Sequence, residues 1–175
     1  MNEIVTPRVT ISLFSRENIT QEYLSWLNDE NLMKFSNQRF VHHSEITAST
    51  YLSSFKGTSN FFFAIYISSS KKFIGTMTAY ISEAHATADL GILIGDNSAH
   101  GLGYGLEAWS AVIGWLFDIK SIRKITAGCM EVNQPMLSII KKSGMKEEAV
   151  KLNQEIYQNR YVNLLFFRKF LDEPH

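Results

Sequence analysis

The chain is 175 residues long, 45% hydrophobic and 19% charged, with 17 basic and 17 acidic side chains and a formal net charge of zero. This composition fits one globular domain over residues 1–175 and excludes a disordered chain. No basic excess calls for nucleic acid, no apolar run approaches the ~20 residues of a membrane span, and Cys129 alone can form neither an internal disulfide nor a cysteine metal cluster.

Residues 1–9 lack the apolar core of a signal peptide, so a soluble cytoplasmic protein with no metal and no membrane partner is expected. Residues 8–14 alternate as a first strand does. Residues 19–28 place Tyr23, Leu24, Trp26 and Leu27 at helical spacing, and residues 44–55 form a second helical stretch. Residues 61–67 and 73–81 are rich in aromatic and β-branched side chains, and Ser68-Ser69-Ser70-Lys71-Lys72 reads as the turn between them. Residues 87–95 form a fourth strand. Leu106, Trp109, Ile113, Leu116 and Phe117 then recur at three and four, the pattern of a buried helix. A fifth strand covers residues 124–131. Asn133-Gln134-Pro135 starts a helix that ends at Gly144, with Lys141 and Lys142 in its last turn. Strands at 146–157 and 161–170 complete a mixed α/β domain of the α+β type.

Between the fourth strand and the apolar helix lies His100-Gly101-Leu102-Gly103-Tyr104-Gly105. Alternating glycines strip a turn of side chains, so that backbone N–H groups and the positive end of the next helix converge on an anion. The loop is therefore expected to bind phosphate. A P-loop is excluded because no Lys-Ser or Lys-Thr follows. Gly103, Gly105 and Ala108 satisfy the dinucleotide pattern, but the acidic residue some twenty positions on is missing and three hairpin-like strands precede the loop.

The segments Ala88-Asp89-Leu90-Gly91-Ile92-Leu93-Ile94-Gly95 and His100 through Ala108 resemble the GNAT superfamily of acetyl-CoA-dependent acetyltransferases. Tyr23-Leu24-Ser25-Trp26-Leu27-Asn28-Asp29 and the stretch from Asn133 to Met145 look most like its branch of ribosomal-protein N-terminal acetyltransferases. The family loop reads Arg or Gln, two variable residues, Gly, one variable residue, then Gly or Ala. Gly103 and Gly105 match, while His100 stands at the basic or amide position. The resemblance implies a GNAT-like fold, a mostly antiparallel sheet splayed between the fourth and fifth strands with flanking helices. It implies acetyl-CoA as co-substrate, with its pyrophosphate on His100, Gly101, Leu102, Gly103, Tyr104 and Gly105, and its pantetheine arm along Ile92, Leu93 and Ile94. A bulge or splay between the strands carrying Gly91 and Gly128 would open that slot.

Acetyl transfer needs a neutral amine. A lysine-type amine with pKa ≈ 10.4 loses roughly 4–5 kcal/mol to protonation at pH 7, whereas an α-amine near 8 loses only about 1.4 kcal/mol. Glu131 is the first candidate base and Asp89 the second. Asn133 matches a position that in the family contacts the coenzyme or nearby backbone, and it also suits a helix cap. The family's Ser and Tyr further along that helix are replaced by Met136 and Ile140, leaving Tyr157, Tyr161 or water to protonate the leaving thiolate. Residues 24–55, with Asn28, Asp29, Glu30, Asn37, Gln38, Arg39, His42 and His43, would wall the acceptor pocket. Their polarity favours a small polar amine such as a nucleotide-linked amino sugar. A protein N-terminus is the rival acceptor, and a non-catalytic acyl-CoA-binding module the rival of another class. Assembly as a homodimer is left open.

Overall fold

The computed structural model describes residues 3–172. Among them, eight strands form a single sheet in the order β1-β2-β3-β4-β5-β6-β8-β7. These are β1 (Ile4–Val5), β2 (Val9–Leu13), β3 (Phe61–Ile67), β4 (Phe73–Ser82), β5 (Thr87–Ile94), β6 (Lys124–Met130), β7 (Lys146–Tyr157) and β8 (Arg160–Phe170). Every neighbouring pair is antiparallel except β5 and β6. The short β1 precedes the first strand expected from sequence, so the strands expected to splay, fourth and fifth in that reading, are β5 and β6.

Period-two alternation along each strand sends its two side-chain sets to opposite faces. One face is covered by α4 (Tyr104–Asp118) and α5 (Gln134–Lys142). There Val9, Ile11, Phe63, Ile65, Met77, Leu90, Ile125 and Ala127 meet Trp109, Val112, Leu116 and Ile140 in the main core. The other face is covered over its β2–β4 half by α1 (Gln21–Leu27), α2 (Glu30–Met33) and α3 (Glu45–Ser53). Phe14, Tyr23, Trp26, Phe55 and Phe62 form a second, aromatic cluster there. The sequence reading ran α1 directly into α3. It passed over α2, which Asp29 starts by accepting hydrogen bonds from the N–H groups of Asn31 and Leu32.

The parallel ladder of β5 and β6 is three pairs long: Thr87 with Lys124, Ala88 with Ile125, and Asp89 with Thr126. Beyond Asp89, β5 continues to pair with β4, from Leu90 opposite Ala79 to Ile94 opposite Gly75. β6 meanwhile follows β8 from Lys124 to Met130. The two strands diverge and leave a wedge. The slot is thus a splay and not a bulge, because the β4–β5 register runs unbroken through Gly91. Gly91 has a different reason: a Cβ there would stand 2.9 Å from the Thr78 hydroxyl.

Candidate active site

The wide end of the wedge meets the glycine loop. Gly101 and Gly103 have φ of +74° and +85°, the left-handed region that glycine adopts without cost. Gly103 is the residue from which α4 starts. The first N–H groups of any α-helix lack intrahelical acceptors, so this end offers donors and a partial positive charge to an anion. A Cβ at Gly101 would meet nothing within 4 Å, which makes the cradle open to a ligand.

Two side chains of the segment itself and two from distant places hold this loop. Asp96 caps the 3-10 turn Asn97–Ala99 by accepting from Ser98 N at 2.8 Å, and pairs with Lys72 from the β3–β4 turn. Burial pushes the Asp96 carboxyl up, but hydrogen bonds from Lys72 and Ser98 outweigh it and leave the pKa below the usual range. His100 Nε2 lies 2.7 Å from the Ile94 carbonyl oxygen, which ties the loop back to the end of β5. Arg8 donates from Nη1 to the Leu102 carbonyl at 2.9 Å and from Nε to Glu107 at 2.6 Å. The sequence carries no local signal for the Lys72 or Arg8 contacts.

The narrow end of the wedge is at Asp89 and Thr126. The Thr126 hydroxyl donates to Asp89 Oδ2 at 2.6 Å. Crowding by protein raises the pKa of the Asp89 carboxyl, with the Thr126 bond opposing it, although the side chain still reaches solvent. Tyr80 stands directly across from Asp89 on β4, so their Cβ atoms lie roughly 5 Å apart on the same face. The Tyr80 hydroxyl pairs at 2.7 Å with that of Tyr51 from α3. Neither tyrosine entered the sequence reading. The face that carries these groups is the one α1–α3 leave uncovered beyond β4.

Glu131, one residue past β6, has both carboxylate oxygens engaged. Asn163 donates to it from its backbone N at 2.8 Å and from Nδ2 at 3.0 Å. Asn163 Oδ1 also accepts from Asn153 N, where the β7–β8 register shifts, so Glu131 belongs to a hairpin clamp. Asn133 caps α5, its side chain accepting from Met136 N at 3.2 Å. Cys129 is buried with its thiol pushed up to about 11 by desolvation, which leaves it protonated at neutral pH.

The polar wall expected between residues 24 and 55 is divided. The Asn28 side chain donates from Nδ2 to the His43 carbonyl and accepts from the His43 N–H on Oδ1, each at 2.9 Å. Beside them lies a depression of about 420 Å³ lined by Ser25, Asn28, His42 and His43, with Asp89 and Thr126 outside it. Arg39 donates to the Ile156 carbonyl at 3.2 Å, and Phe35 packs on Tyr157 at 5.3 Å between ring centroids. The tip of the β7–β8 hairpin therefore bridges the open face to the α2 region. Among the described residues no group of three His, Cys, Asp or Glu side chains could hold a metal ion, and no helix is long and apolar enough to cross a membrane.

The fold thus sets a glycine loop at the head of a helix, an unpaired strand edge leading from it and a polar floor at the far end. The chain belongs to the GNAT acetyltransferase family: the Acetyltransferase (GNAT) domain profile matches residues 8–146. It is an acetyl-CoA-dependent N-acetyltransferase. A GNAT-family acetyltransferase from Bacillus anthracis superposes with TM-score 0.83 at 18% identity, over 98% of this chain and 100% of that one. Ribosomal-protein-S5-alanine acetyltransferase from Vibrio fischeri gives TM-score 0.83 at 16% identity, over 99% and 100%. Spermidine N-acetyltransferase from Vibrio cholerae, in complex with CoA and spermine, gives 0.83 at 16%, over 94% and 96%. A search of curated proteins by sequence finds no match.

Proposed function

We propose that the acceptor is a small, polar primary amine, such as an amino sugar carried on a nucleotide, and that Asp89 is the base that receives its proton. The observation that carries this reading is the Asp89 carboxylate at the narrow end of the wedge, on the open face of the sheet. Ile94 and Asp89 are five residues apart, about 17 Å of strand at ~3.3 Å per residue. A coenzyme seated on residues 101–105 and paired with the free edge at Ile92, Leu93 and Ile94 has its thioester directed toward Asp89. When bound, acetyl-CoA supplies an acetyl group activated as a thioester.

Hydroxyls ring the position: Thr126 on Asp89, Tyr80 opposite it, and Thr78 opposite Gly91. Hydroxyl groups donate and accept alike, which suits a hydroxylated acceptor better than an apolar one. Asp89 stands ahead of Glu131 as base because the Glu131 carboxylate already accepts two hydrogen bonds from Asn163. Glu131 then keeps the end of β6 in place, and Asn133 orders the start of α5 beside it. A carboxyl raised in pKa is matched to an amine that loses its proton near neutrality.

The test is the pH dependence of thiol release from acetyl-CoA, with a nucleotide-linked amino sugar, a peptide with a free N-terminus and spermidine as acceptors. Preference for the amino sugar is expected. Asp89→Asn is expected to lower kcat by ~10²–10⁴-fold. Its melting temperature at pH 7 should equal or exceed that of wild type, because folding holds the ionised carboxylate at a disadvantage and Asn removes that charge. Preference for the peptide would establish the N-terminal acceptor instead. Binding of CoA with no thiol release from any amine would favour the non-catalytic module, and an unimpaired Asp89→Asn enzyme would exclude Asp89.

A further inference from the structure

The coenzyme loop departs from its family pattern at residue 100, and the structure shows what His100 does: its Nε2 is held by the Ile94 carbonyl at 2.7 Å. The cation beside Gly103 comes from near the start of the chain. Arg8, in the link between β1 and β2, lies across the loop with its guanidinium 5.2 Å from the Tyr104 ring centroid. Two of its three side-chain nitrogens are committed, Nε to Glu107 at 2.6 Å and Nη1 to the Leu102 carbonyl at 2.9 Å. Nη2 has no hydrogen-bond partner among the described residues. It stands 3.3 Å from the point where a Cβ on Gly103 would project, and the side chain is 50% exposed.

Glu107 explains why a cation is needed here. Its carboxylate lies in the first turn of α4, beside the amides that face a phosphate. An unscreened negative charge there would oppose a pyrophosphate. Thr6 Oγ1 at 2.7 Å and Arg8 N at 2.9 Å both donate to Glu107 Oε1, while the guanidinium neutralises Oε2. The carboxyl pKa is accordingly lowered, the burial that would raise it being outweighed by these hydrogen bonds and the Arg8 charge.

We infer that Arg8 is a coenzyme-binding residue: it cancels Glu107, fixes the carbonyl of Leu102 and presents its free Nη2 to the pyrophosphate over Gly103. An Arg side chain suits this division of labour, because its rigid fork can serve a carboxylate, a carbonyl and a phosphate at once. The family pattern has Arg or Gln where His100 stands, whereas here the cation beside the loop comes from 95 positions before Gly103. The inference rests on the assignment of residues 101–105 to the pyrophosphate.

Calorimetric titration with CoA, together with ligand-observed NMR titration with S-acetylpantetheine, which lacks the pyrophosphate, tests it. Arg8→Gln should weaken CoA binding by at least tenfold, leave S-acetylpantetheine binding unchanged and reduce the salt sensitivity of CoA binding. Arg8→Lys should recover part of the loss. CoA affinity equal to wild type in Arg8→Gln overturns the proposal, and so does an equal loss for both ligands, which would mark Arg8 as a structural support alone. Should Arg8→Gln not fold, Arg8→Lys decides. It keeps the charge without the fork, so several-fold weaker CoA binding with unchanged S-acetylpantetheine binding supports the proposal, and unchanged CoA binding overturns it. Failure of the wild-type protein to bind CoA would instead overturn the loop assignment.

Discussion

At Gly103 the backbone geometry and the helix start coincide with the proposed pyrophosphate site. Its φ of +85° disfavours any side chain, and the position a Cβ would take faces the free nitrogen of Arg8. Gly103→Asp should therefore do more than crowd the loop. The new carboxylate would pair with Arg8 and occupy the phosphate position itself. CoA binding should fall below detection by calorimetry while far-UV circular dichroism stays native, and a folded variant with wild-type affinity would exclude the loop. The glycines were legible in the sequence because their spacing is local. Arg8 was not, since 94 residues separate it from the Leu102 carbonyl it holds. Asp89 and Glu131 differ for the same reason. The sequence ranked Glu131 first from its place at a strand end, and only the fold brings Asn163 onto both of its oxygens.

At the scale of elements, the junction between β5 and the loop is fixed from the α1 side. The indole of Trp26 lies against Gly95, so that a Cβ there would fall inside the ring's van der Waals contact distance. Gly95→Ala should cost about 1–3 kcal/mol, the usual penalty for overpacking a filled site. In urea unfolding, the double variant Gly95→Ala/Trp26→Leu should lose less than the sum of the two single losses, because shortening Trp26 makes room for the methyl. Strict additivity would show that the two residues do not press on one another. The helix α1 was readable from Tyr23, Leu24, Trp26 and Leu27, but periodicity could not say which backbone Trp26 would cover. The β7–β8 turn was readable only in part. Gln158 and Asn159 both take positive φ between the paired residues Tyr157 and Arg160. That is the two-residue hairpin geometry whose twist matches the strands it joins.

Across the whole molecule, charges that are balanced in number are unevenly placed. Lys72 with Asp96 and Arg8 with Glu107 both brace the glycine loop, and both carboxyl pKa values are lowered in the fold. A lowered folded value means that the stabilisation is present above the unfolded value near 4 and disappears as pH falls through the folded one. Asp96→Asn should thus be less stable than wild type at pH 7, and the gap should narrow as the pH is taken down to 3. Urea midpoints at pH 7, 5 and 3 measure this. A gap that stays constant across that range would mean that the Asp96 charge contributes nothing to stability.

What the sequence by itself determined is what depends on near neighbours along the chain. The alternation of the strands, the apolar stripe of α4, the Asn133 cap and the glycine spacing of the loop are all set within a few residues, and so are the short segments at 23–29, 88–95, 100–108 and 133–145 that resemble the GNAT superfamily. The tertiary structure decided what depends on separations that no local pattern encodes. It opened the wedge after Asp89 and Thr126, because β6 turns to follow β8 while β5 stays with β4. It placed Tyr80 across from Asp89, closed Asn163 over Glu131 and laid Arg8 on the loop. Each of these joins residues from different strands or helices, and a pairing of that kind exists only once the register of the sheet has been chosen.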